Sequence, residues 1–352
     1  MLCGITPVAP VAIFPGLHPG YWGRLIILVN NEVRALKTQA EPLIDSFPNP
    51  LAKYFAATRP PFILATIVPI LLGFAYTRYQ GYEIHWSVFF LVLLAGIFLH
   101  AGVNVLNDYY DDLNGTDAAN EERIYPFTGG SRFIQNDVLT REQMRNFGVS
   151  LIVMVMIIGL YLVMHTGLLL FFLGLFGILI GWAYSAPPFR LNSRGLGELT
   201  VLTGFGLLPF GAWLTQTGTP SLSVLLIALP LGLLTSNLLY INQYPDRKAD
   251  IYAKKMHWVA RLPTHVSRWG YWLIAGLAWV LIPLYIYQGL LPQLSWISML
   301  PVVLSFSAGK ELLQNSDHPQ RLEKAIKMTL LAMLLHGVLL IVSLLFYNYS
   351  VW

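Results

Sequence analysis

The first group of residues suited to chemistry is a cluster of acids and amides in the first third of the chain. It contains Asn107, Asp108, Asp111 and Asp117, with Gly115 before the last acid. On a helix, residues four apart share a face, so Asn107 and Asp111 would lie side by side. Gly115 would let the chain turn and bring Asp117 back toward them. Carboxylates this close repel one another, and a divalent cation would neutralise that repulsion.

A second cluster has the same design. Asn242, Asp246 and Asp250 follow one another at intervals of four, although Pro245 would interrupt a regular helix. Ligands made only of oxygen favour Mg²⁺ or Ca²⁺ over zinc, and Mg²⁺ is typically held by one or two carboxylates together with substrate phosphates. The pair of clusters therefore predicts a metal-dependent site for an organic phosphate or diphosphate.

Other interpretations of these acids fit less well. A single cluster would suit a solvated helix end with a capping aspartate. In an EF-hand, aligning Gly115 with the loop glycine would put Tyr110 where the first acidic ligand belongs. A proton or ion pathway would place acids in the middle of membrane spans, whereas these acids flank apolar runs. The presence of two matching clusters favours the metal site.

Residues near the clusters could grip an anion. The stretch 128–132, Thr-Gly-Gly-Ser-Arg, offers backbone N–H groups and the guanidinium of Arg132. Lys255 follows the second cluster, and it would equally suit a marker of membrane topology. Glu198 lies just inside an apolar run, where a charge is costly unless it is paired, so it is either a site residue or half of a structural pair. Isolated histidines favour packing roles: His100, His165 and His336.

The composition shows which elements must position these residues. Hydrophobic residues make up 55% of the 352-residue chain and charged residues only 11%, whereas a soluble domain carries about 25% charged residues. This excludes a disordered chain and an ordinary soluble globule, and it predicts an all-α protein that crosses the membrane many times. Nine apolar runs have spanning length, at 61–76, 85–106, 147–164, 168–184, 195–214, 222–240, 270–287, 291–307 and 326–347.

The distribution of charge supports nine spans. Of the 22 Lys and Arg residues, all except Arg78 fall on one side of the membrane in this arrangement, as the positive-inside rule requires. The N-terminus is therefore expected in the cytoplasm and the C-terminus outside. The acids follow the same division, with Glu83 as the exception. Long polar loops on one face favour an enzyme acting at that face over a secondary transporter, which needs access from both.

The sequence divides into two parts. Residues 1–50 form an N-terminal extension, in which 24–47 would suit an amphipathic helix at the membrane interface; a poorly ordered extension is the alternative. Residues 51–352 form the membrane domain. The single cysteine, Cys3, excludes a disulfide framework and a thiolate metal cage.

Taken together, these motifs resemble the UbiA superfamily of intramembrane aromatic prenyltransferases. The resemblance rests on Asn107 to Asp117, the stretch 128–132, Arg194-Gly-Leu-Gly-Glu198, and Asn242 to Asp250 with Lys255. The spacing of the first motif is most similar to the 1,4-dihydroxy-2-naphthoate polyprenyltransferase branch of the menaquinone pathway. The sequence departs from the family pattern after Asp250, where Lys254 replaces the usual glycine and Trp258 a smaller residue.

The resemblance implies nine transmembrane helices around a central cavity capped by cytoplasmic polar loops, in a membrane such as the bacterial inner membrane. It implies Mg²⁺-dependent transfer of a polyprenyl group from its diphosphate to an aromatic acceptor, with no nucleic acid and no identifiable protein partner. A different acceptor or a terpene cyclase of the same fold are the alternatives. The expected catalytic residues are Asp111, Asp246 and Asp250. The expected metal ligands are Asp108, Asp111, Asp117, Asp246 and Asp250; the diphosphate ligands are Asn107, Arg132, Asn242 and Lys255; and the acceptor pocket contains Tyr110, Tyr184 and Glu198.

Overall fold

A computed structural model describes residues 41–347, and throughout this range the chain is built from helices and their connections. The α-helices are α1 (Pro50–Ala57), α2 (Pro60–Tyr79), α3 (Trp86–Leu113), α4 (Thr116–Ala119), α5 (Arg141–Thr166), α6 (Leu168–Ser185), α7 (Gly197–Thr217), α8 (Leu222–Tyr252), α9 (Trp258–Arg261), α10 (Thr264–Tyr287), α11 (Val302–Asn315) and α12 (Glu323–Leu345). Short 3₁₀ segments lie at Ile44–Ser46, Leu191–Ser193, Gln293–Met299 and Pro319–Arg321.

Within residues 41–347, nine helices are long and apolar enough to cross a membrane, which confirms the predicted number of spans. Eight of them are single α-helices, and the remaining span, Gln293–Asn315, joins a 3₁₀ segment to α11. The protein is therefore an integral membrane protein with an all-α fold.

Two of the helices extend beyond their apolar runs. The sequence predicted the end of the second span at 106 and of the sixth at 240, but α3 continues to Leu113 and α8 to Tyr252. At 1.5 Å per residue, the 31 residues of α8 reach about 46 Å, well beyond a hydrocarbon core of about 30 Å. Helix α8 also continues through Pro245. Both acidic motifs thus lie on helical extensions.

The interior of the bundle is formed by α2 and α8, which are the most deeply buried spans. Helix α2 packs against α7 and α12, and α8 packs against α7, α10 and α12. The contact between α2 and α7 requires a small residue, because a Cβ on Gly73 would lie 2.8 Å from both Ala212 Cβ and Pro209 Cα. Helix α6 is the least buried span and is therefore oriented toward lipid.

The long polar connections 114–140, 186–196, 253–263 and 316–322 all lie at one end of the bundle. Residues before α1 are joined to this end, since Glu41 accepts hydrogen bonds from Arg123 Nε at 2.6 Å and from Asn136 Nδ2 at 3.2 Å. The predicted interfacial helix at 24–47 falls mainly outside the described residues and stays a prediction; within 41–47 the regular element is the 3₁₀ segment.

Candidate active site

A cavity of about 600 Å³ opens between α2, α3, α5, α6, α7 and α8. Its membrane-embedded walls are mainly apolar, with side chains such as Leu173 and Phe205. Its polar end lies beneath the long connections. The charged side chains lining it are Arg59, Asp111, Asp117, Asp246, Asp250 and Lys255. The structure therefore brings both acidic motifs to one end of a single apolar cavity.

The first motif is held by helix geometry and by hydrogen bonds between elements. Asn107 Nδ2 donates to Asp111 Oδ2 at 3.2 Å and to Ser185 Oγ at 2.7 Å, which ties α3 to the end of α6. Asn114 Nδ2 donates to the other oxygen of Asp111 at 3.2 Å. Asp111 is buried, so these contacts fix its carboxylate in one orientation.

Asp117 returns to the cavity through a turn. Gly115 has a φ of 81°, a conformation that glycine adopts without steric cost, and it begins the short helix α4. Asp117 then lines the cavity below Gly130, whose φ is 73°. Gly130 is also required for space, because a Cβ at this position would lie 2.9 Å from Asp117 Cγ. The turn predicted after the first motif is present.

The second motif follows one face of α8, with Asn242, Asp246 and Asp250 all lining the cavity. Asp246 Oδ1 accepts a hydrogen bond from Asn120 Nδ2 at 2.6 Å, and its Oδ2 accepts one from the Gly129 N–H at 3.4 Å. Residues of the loop after the first motif therefore contact the second motif directly.

Lys255 joins the two motifs electrostatically. Its Nζ lies 3.0 Å from Asp111 Oδ2 and 3.6 Å from Asp250 Oδ1. Burial lowers the pKa of Lys255, but the charges of Asp111 and Asp250 outweigh it, so the pKa is well above its usual value. The ammonium group is therefore held charged between one carboxylate from each motif.

The donor set suits a divalent cation. Four carboxylates line the cavity but only two lysine or arginine side chains do, and burial together with the charges of Asp111 and Asp108 raises the pKa of Asp117 well above its usual value. Oxygens without a hydrogen-bond partner are buried on four lining residues: Asp117 Oδ2, Asn242 Oδ1, Gln243 Oε1 and Asp250 Oδ1. In the described range no three acidic, histidine or cysteine side chains converge as a complete metal site, so substrate oxygens would have to complete the coordination, as is usual for Mg²⁺.

The structure places four of the predicted site residues away from the cavity lining. Arg132 is buried and donates from Nη1 to the Asp117 carbonyl oxygen, with its Nε 3.7 Å from Glu41 Oε2. It thus holds the loop rather than facing the cavity. Asp108 accepts a hydrogen bond from the Ser131 N–H at 3.1 Å, so it too anchors this loop.

The other two belong to the predicted acceptor pocket. Tyr110 is absent from the cavity lining, because neighbouring residues on a helix point in different directions and Asp111 is the one that lines it. The ring of Tyr110 instead contacts that of Tyr109 edge to face. Glu198 Oε1 accepts a hydrogen bond from Gln243 Nε2 at 2.8 Å, and Gln243 is the residue that lines the cavity. Tyr184, the third predicted member of the pocket, does line it.

Three ionisable lining residues, Arg59, His100 and His257, were not identified as site residues from the sequence. Arg59 reaches the polar end, where its Nη2 donates to the Phe127 carbonyl oxygen at 3.2 Å. His100 lies on the same face of α3 as Asn107, and its Nδ1 is 2.7 Å from Thr66 Oγ1. His257 contacts Asp250. Arg59 lies outside both motifs, and nothing in the sequence pattern indicated it. His100 could have been identified, because it lies about two helical turns before Asn107 on the same helix.

These features define a class of protein: a membrane-embedded helical enzyme with two acidic motifs at one end of an apolar cavity. The chain belongs to the UbiA prenyltransferase family, whose family model matches residues 66–333. It is an enzyme that transfers prenyl groups.

Curated relatives agree with this assignment, and a solved structure shares the fold. The chain is 28% identical over 234 residues to a 2-carboxy-1,4-naphthoquinone phytyltransferase of Synechocystis sp., covering 65% of this chain and 73% of the relative. It is 26% identical over 301 residues to the 1,4-dihydroxy-2-naphthoate octaprenyltransferase of Escherichia coli, covering 83% and 94%. A UbiA homologue from Archaeoglobus fulgidus bound to GPP and Mg²⁺ has a TM-score of 0.58 at 15% identity, covering 82% of this chain and 99% of that chain.

Proposed function

We propose that this protein transfers a polyprenyl group from an allylic polyprenyl diphosphate to an aromatic acceptor of the dihydroxynaphthoate type, with Mg²⁺ as cofactor. The observation that carries the proposal is the meeting of both acidic motifs at the polar end of one apolar cavity. The Asn120–Asp246 hydrogen bond and the contacts of Lys255 with Asp111 and Asp250 join the two motifs there.

The polar end would bind the diphosphate. Asp111, Asp117, Asp246 and Asp250 supply oxygens for Mg²⁺, and the metal would neutralise the charge that develops on the leaving diphosphate. The unpartnered oxygen of Asn242 would add a further ligand. Lys255 and Arg59 are the cations in reach of the same group. The GPP and Mg²⁺ bound to the Archaeoglobus fulgidus homologue support this assignment.

The apolar part of the cavity would hold the prenyl chain and protect the reacting carbon. Cleavage of the carbon–oxygen bond leaves the electron pair on the diphosphate and a positive charge on the allylic carbon. Water would quench that charge, and the apolar walls exclude it. The electron-rich acceptor ring then forms the new carbon–carbon bond and loses a proton, or CO₂ where a carboxylate occupies the attacked position. Tyr184 also lines the cavity, and its ring face would stabilise the positive charge on the allylic carbon.

The acceptor class is supported by the relatives, which are named for naphthoate or naphthoquinone substrates. The cavity itself offers Gln243, held by Glu198, and His100, held by Thr66, as polar partners for an acceptor. We further propose that the polar end faces the cytoplasm of a bacterial inner membrane, because the basic residues concentrate there.

The test is a product analysis with purified protein in lipid nanodiscs. Protein, Mg²⁺ and a polyprenyl diphosphate are incubated with a panel of aromatic acceptors that includes 1,4-dihydroxy-2-naphthoate, and mass spectrometry identifies the product. We expect a prenylated product of the naphthoate acceptor, and we expect no product when EDTA removes the Mg²⁺. A cyclic hydrocarbon formed without any acceptor would instead identify a terpene cyclase, and a prenylated product from another acceptor class would contradict the naphthoate assignment.

Substitutions in the two motifs test the metal site separately. Asp111→Asn and Asp246→Asn should abolish transfer while the protein still folds, because each removes a carboxylate that lines the cavity. The matched control is Asp112→Asn, since Asp112 pairs with Arg141 at 2.5 Å outside the cavity. Near-normal turnover in either motif variant, or an equal loss in the control, would contradict the proposed metal site.

A further inference from the structure

His257 links the second acidic motif to the short helix α9. The side chain is 1% exposed, and it caps the helix, because its Nδ1 lies 3.2 Å from the Ala260 N–H. A nitrogen that accepts a hydrogen bond carries no proton, so the proton of the neutral ring is on Nε2. Nε2 lies 2.8 Å from Asp250 Oδ2 and therefore donates to it.

This contact divides the two oxygens of Asp250. Oδ2 is occupied by the imidazole, whereas Oδ1 is buried without a hydrogen-bond partner and lies 3.6 Å from Lys255 Nζ. Asp250 lines the cavity and is 2% exposed, so water does not set its orientation. The direction in which Oδ1 points therefore depends on the bond from His257.

Helix capping alone does not require a histidine. Serine, threonine, aspartate and asparagine are the usual caps, and their short side chains are sufficient to accept from a backbone N–H in the first turn. Only a longer side chain with a donor on its far side can cap α9 and contact Asp250 at the same time. The imidazole does both, with Nδ1 toward Ala260 and Nε2 toward Asp250.

We propose that His257 is a positioning residue that holds Asp250 with Oδ1 presented to the cavity as a ligand for a divalent cation. The inference rests on the proposed function, since it assumes that Asp250 binds the metal. It adds to that function a residue outside both acidic motifs, acting through a carboxylate rather than on the substrate.

Two substitutions separate the two contacts of the ring. The amide group of asparagine occupies the place of Nδ1, so His257→Asn keeps the cap of α9 but loses the donor to Asp250. The amide group of glutamine occupies the place of Nε2, so His257→Gln keeps the donor and loses the cap. His265→Asn is the matched control, because His265 is an exposed histidine at the same end of the bundle.

The measurement uses Mn²⁺ as a metal probe with inorganic diphosphate and no prenyl substrate. Electron paramagnetic resonance gives the Mn²⁺ affinity of the full chain in nanodiscs, and hydrogen–deuterium exchange reports on the Ala260 amide. We expect His257→Asn to weaken Mn²⁺ binding roughly 10- to 100-fold, the usual effect of losing a partner of a metal ligand, with protection of Ala260 retained. His257→Gln should show the opposite pattern, and His265→Asn neither change.

Other outcomes would overturn the inference. Wild-type affinity in His257→Asn would show that Asp250 needs no partner, and equal losses in both variants would assign His257 to packing alone. A double-mutant cycle tests the coupling even if a single variant folds poorly. In an Asp250→Ala background, His257→Asn should change Mn²⁺ affinity no further. A further loss there would also contradict the proposal. Absence of Mn²⁺ binding by the wild-type protein would instead overturn the metal site of the proposed function itself.

Discussion

Gly130→Ala gives a sharp test of how the loop and the first acidic motif fit together. A Cβ added at Gly130 would lie 2.9 Å from Asp117 Cγ and 3.0 Å from Oδ1, and closer still to Oδ2. Ordinary contacts begin at 3.4 Å, so the carboxylate must retreat by about 0.5 Å at Cγ and by about twice that at Oδ2. Asp117 is buried beneath the loop, which leaves it little room to move without leaving its place in the cavity.

The substitution has two effects that a matched control separates. Gly130 has a φ of 73°, so alanine there also carries backbone strain of about 1–2 kcal/mol. Gly81 has a φ of 85° with nothing near its added Cβ, and it lies beyond the opposite end of α2. Gly81→Ala should therefore show a similar strain and no displacement of a carboxylate.

We expect Gly130→Ala to lose at least as much thermal stability as Gly81→Ala, since the clash adds to the shared strain, and only Gly130→Ala to lose turnover. A displacement of about 1 Å at a reacting site can cost about 10²-fold in rate, and the loss should appear in kcat for prenyl transfer. The assay compares initial rates at saturating Mg²⁺ and substrates with melting curves of the same preparations. Equal turnover in the two variants would refute the role assigned to Asp117.

Two further predictions concern charged residues around the loop. Arg59→Ala should raise the KM for the prenyl diphosphate, because Arg59 lines the cavity. Arg132→Ala should mainly lower kcat and the melting temperature, because Arg132 donates a hydrogen bond to the Asp117 carbonyl oxygen. Steady-state kinetics showing the reverse pattern would contradict this. Burial raises the pKa of Glu41, but hydrogen bonds from Asn136 and Arg123 outweigh it and lower the pKa below 4.5. The stabilising effect of the Glu41 carboxylate should therefore be complete above pH 4.5 and disappear as the pH falls through the lowered pKa. The measurement is the difference in melting temperature between wild type and Glu41→Gln as a function of pH. A difference that persisted in strong acid would contradict the prediction.

The number of spans and the faces of the two motifs follow from local properties of the chain. A helix across a bilayer needs about 20 apolar residues, so nine runs can be counted without knowing their neighbours. The interval of four between Asn107 and Asp111, and between Asn242 and Asp246, likewise places each pair on one helix face wherever the helix lies. Pro245 lies inside the continuous helix α8, where it and Tyr244 are buried. Packing against neighbouring segments allows a helix to accommodate a proline.

The choice among similar residues was decided only by tertiary contacts. Arg59 and Arg132 are both arginines at the polar end, and nothing local distinguishes the one that lines the cavity from the one that pairs with Glu41. The same holds for His257, which Asp250 meets only because α9 folds back against α8. Helical period and apolar length are set by the covalent chain and the bilayer, whereas the partner of a long polar side chain depends on which distant segments share its surroundings.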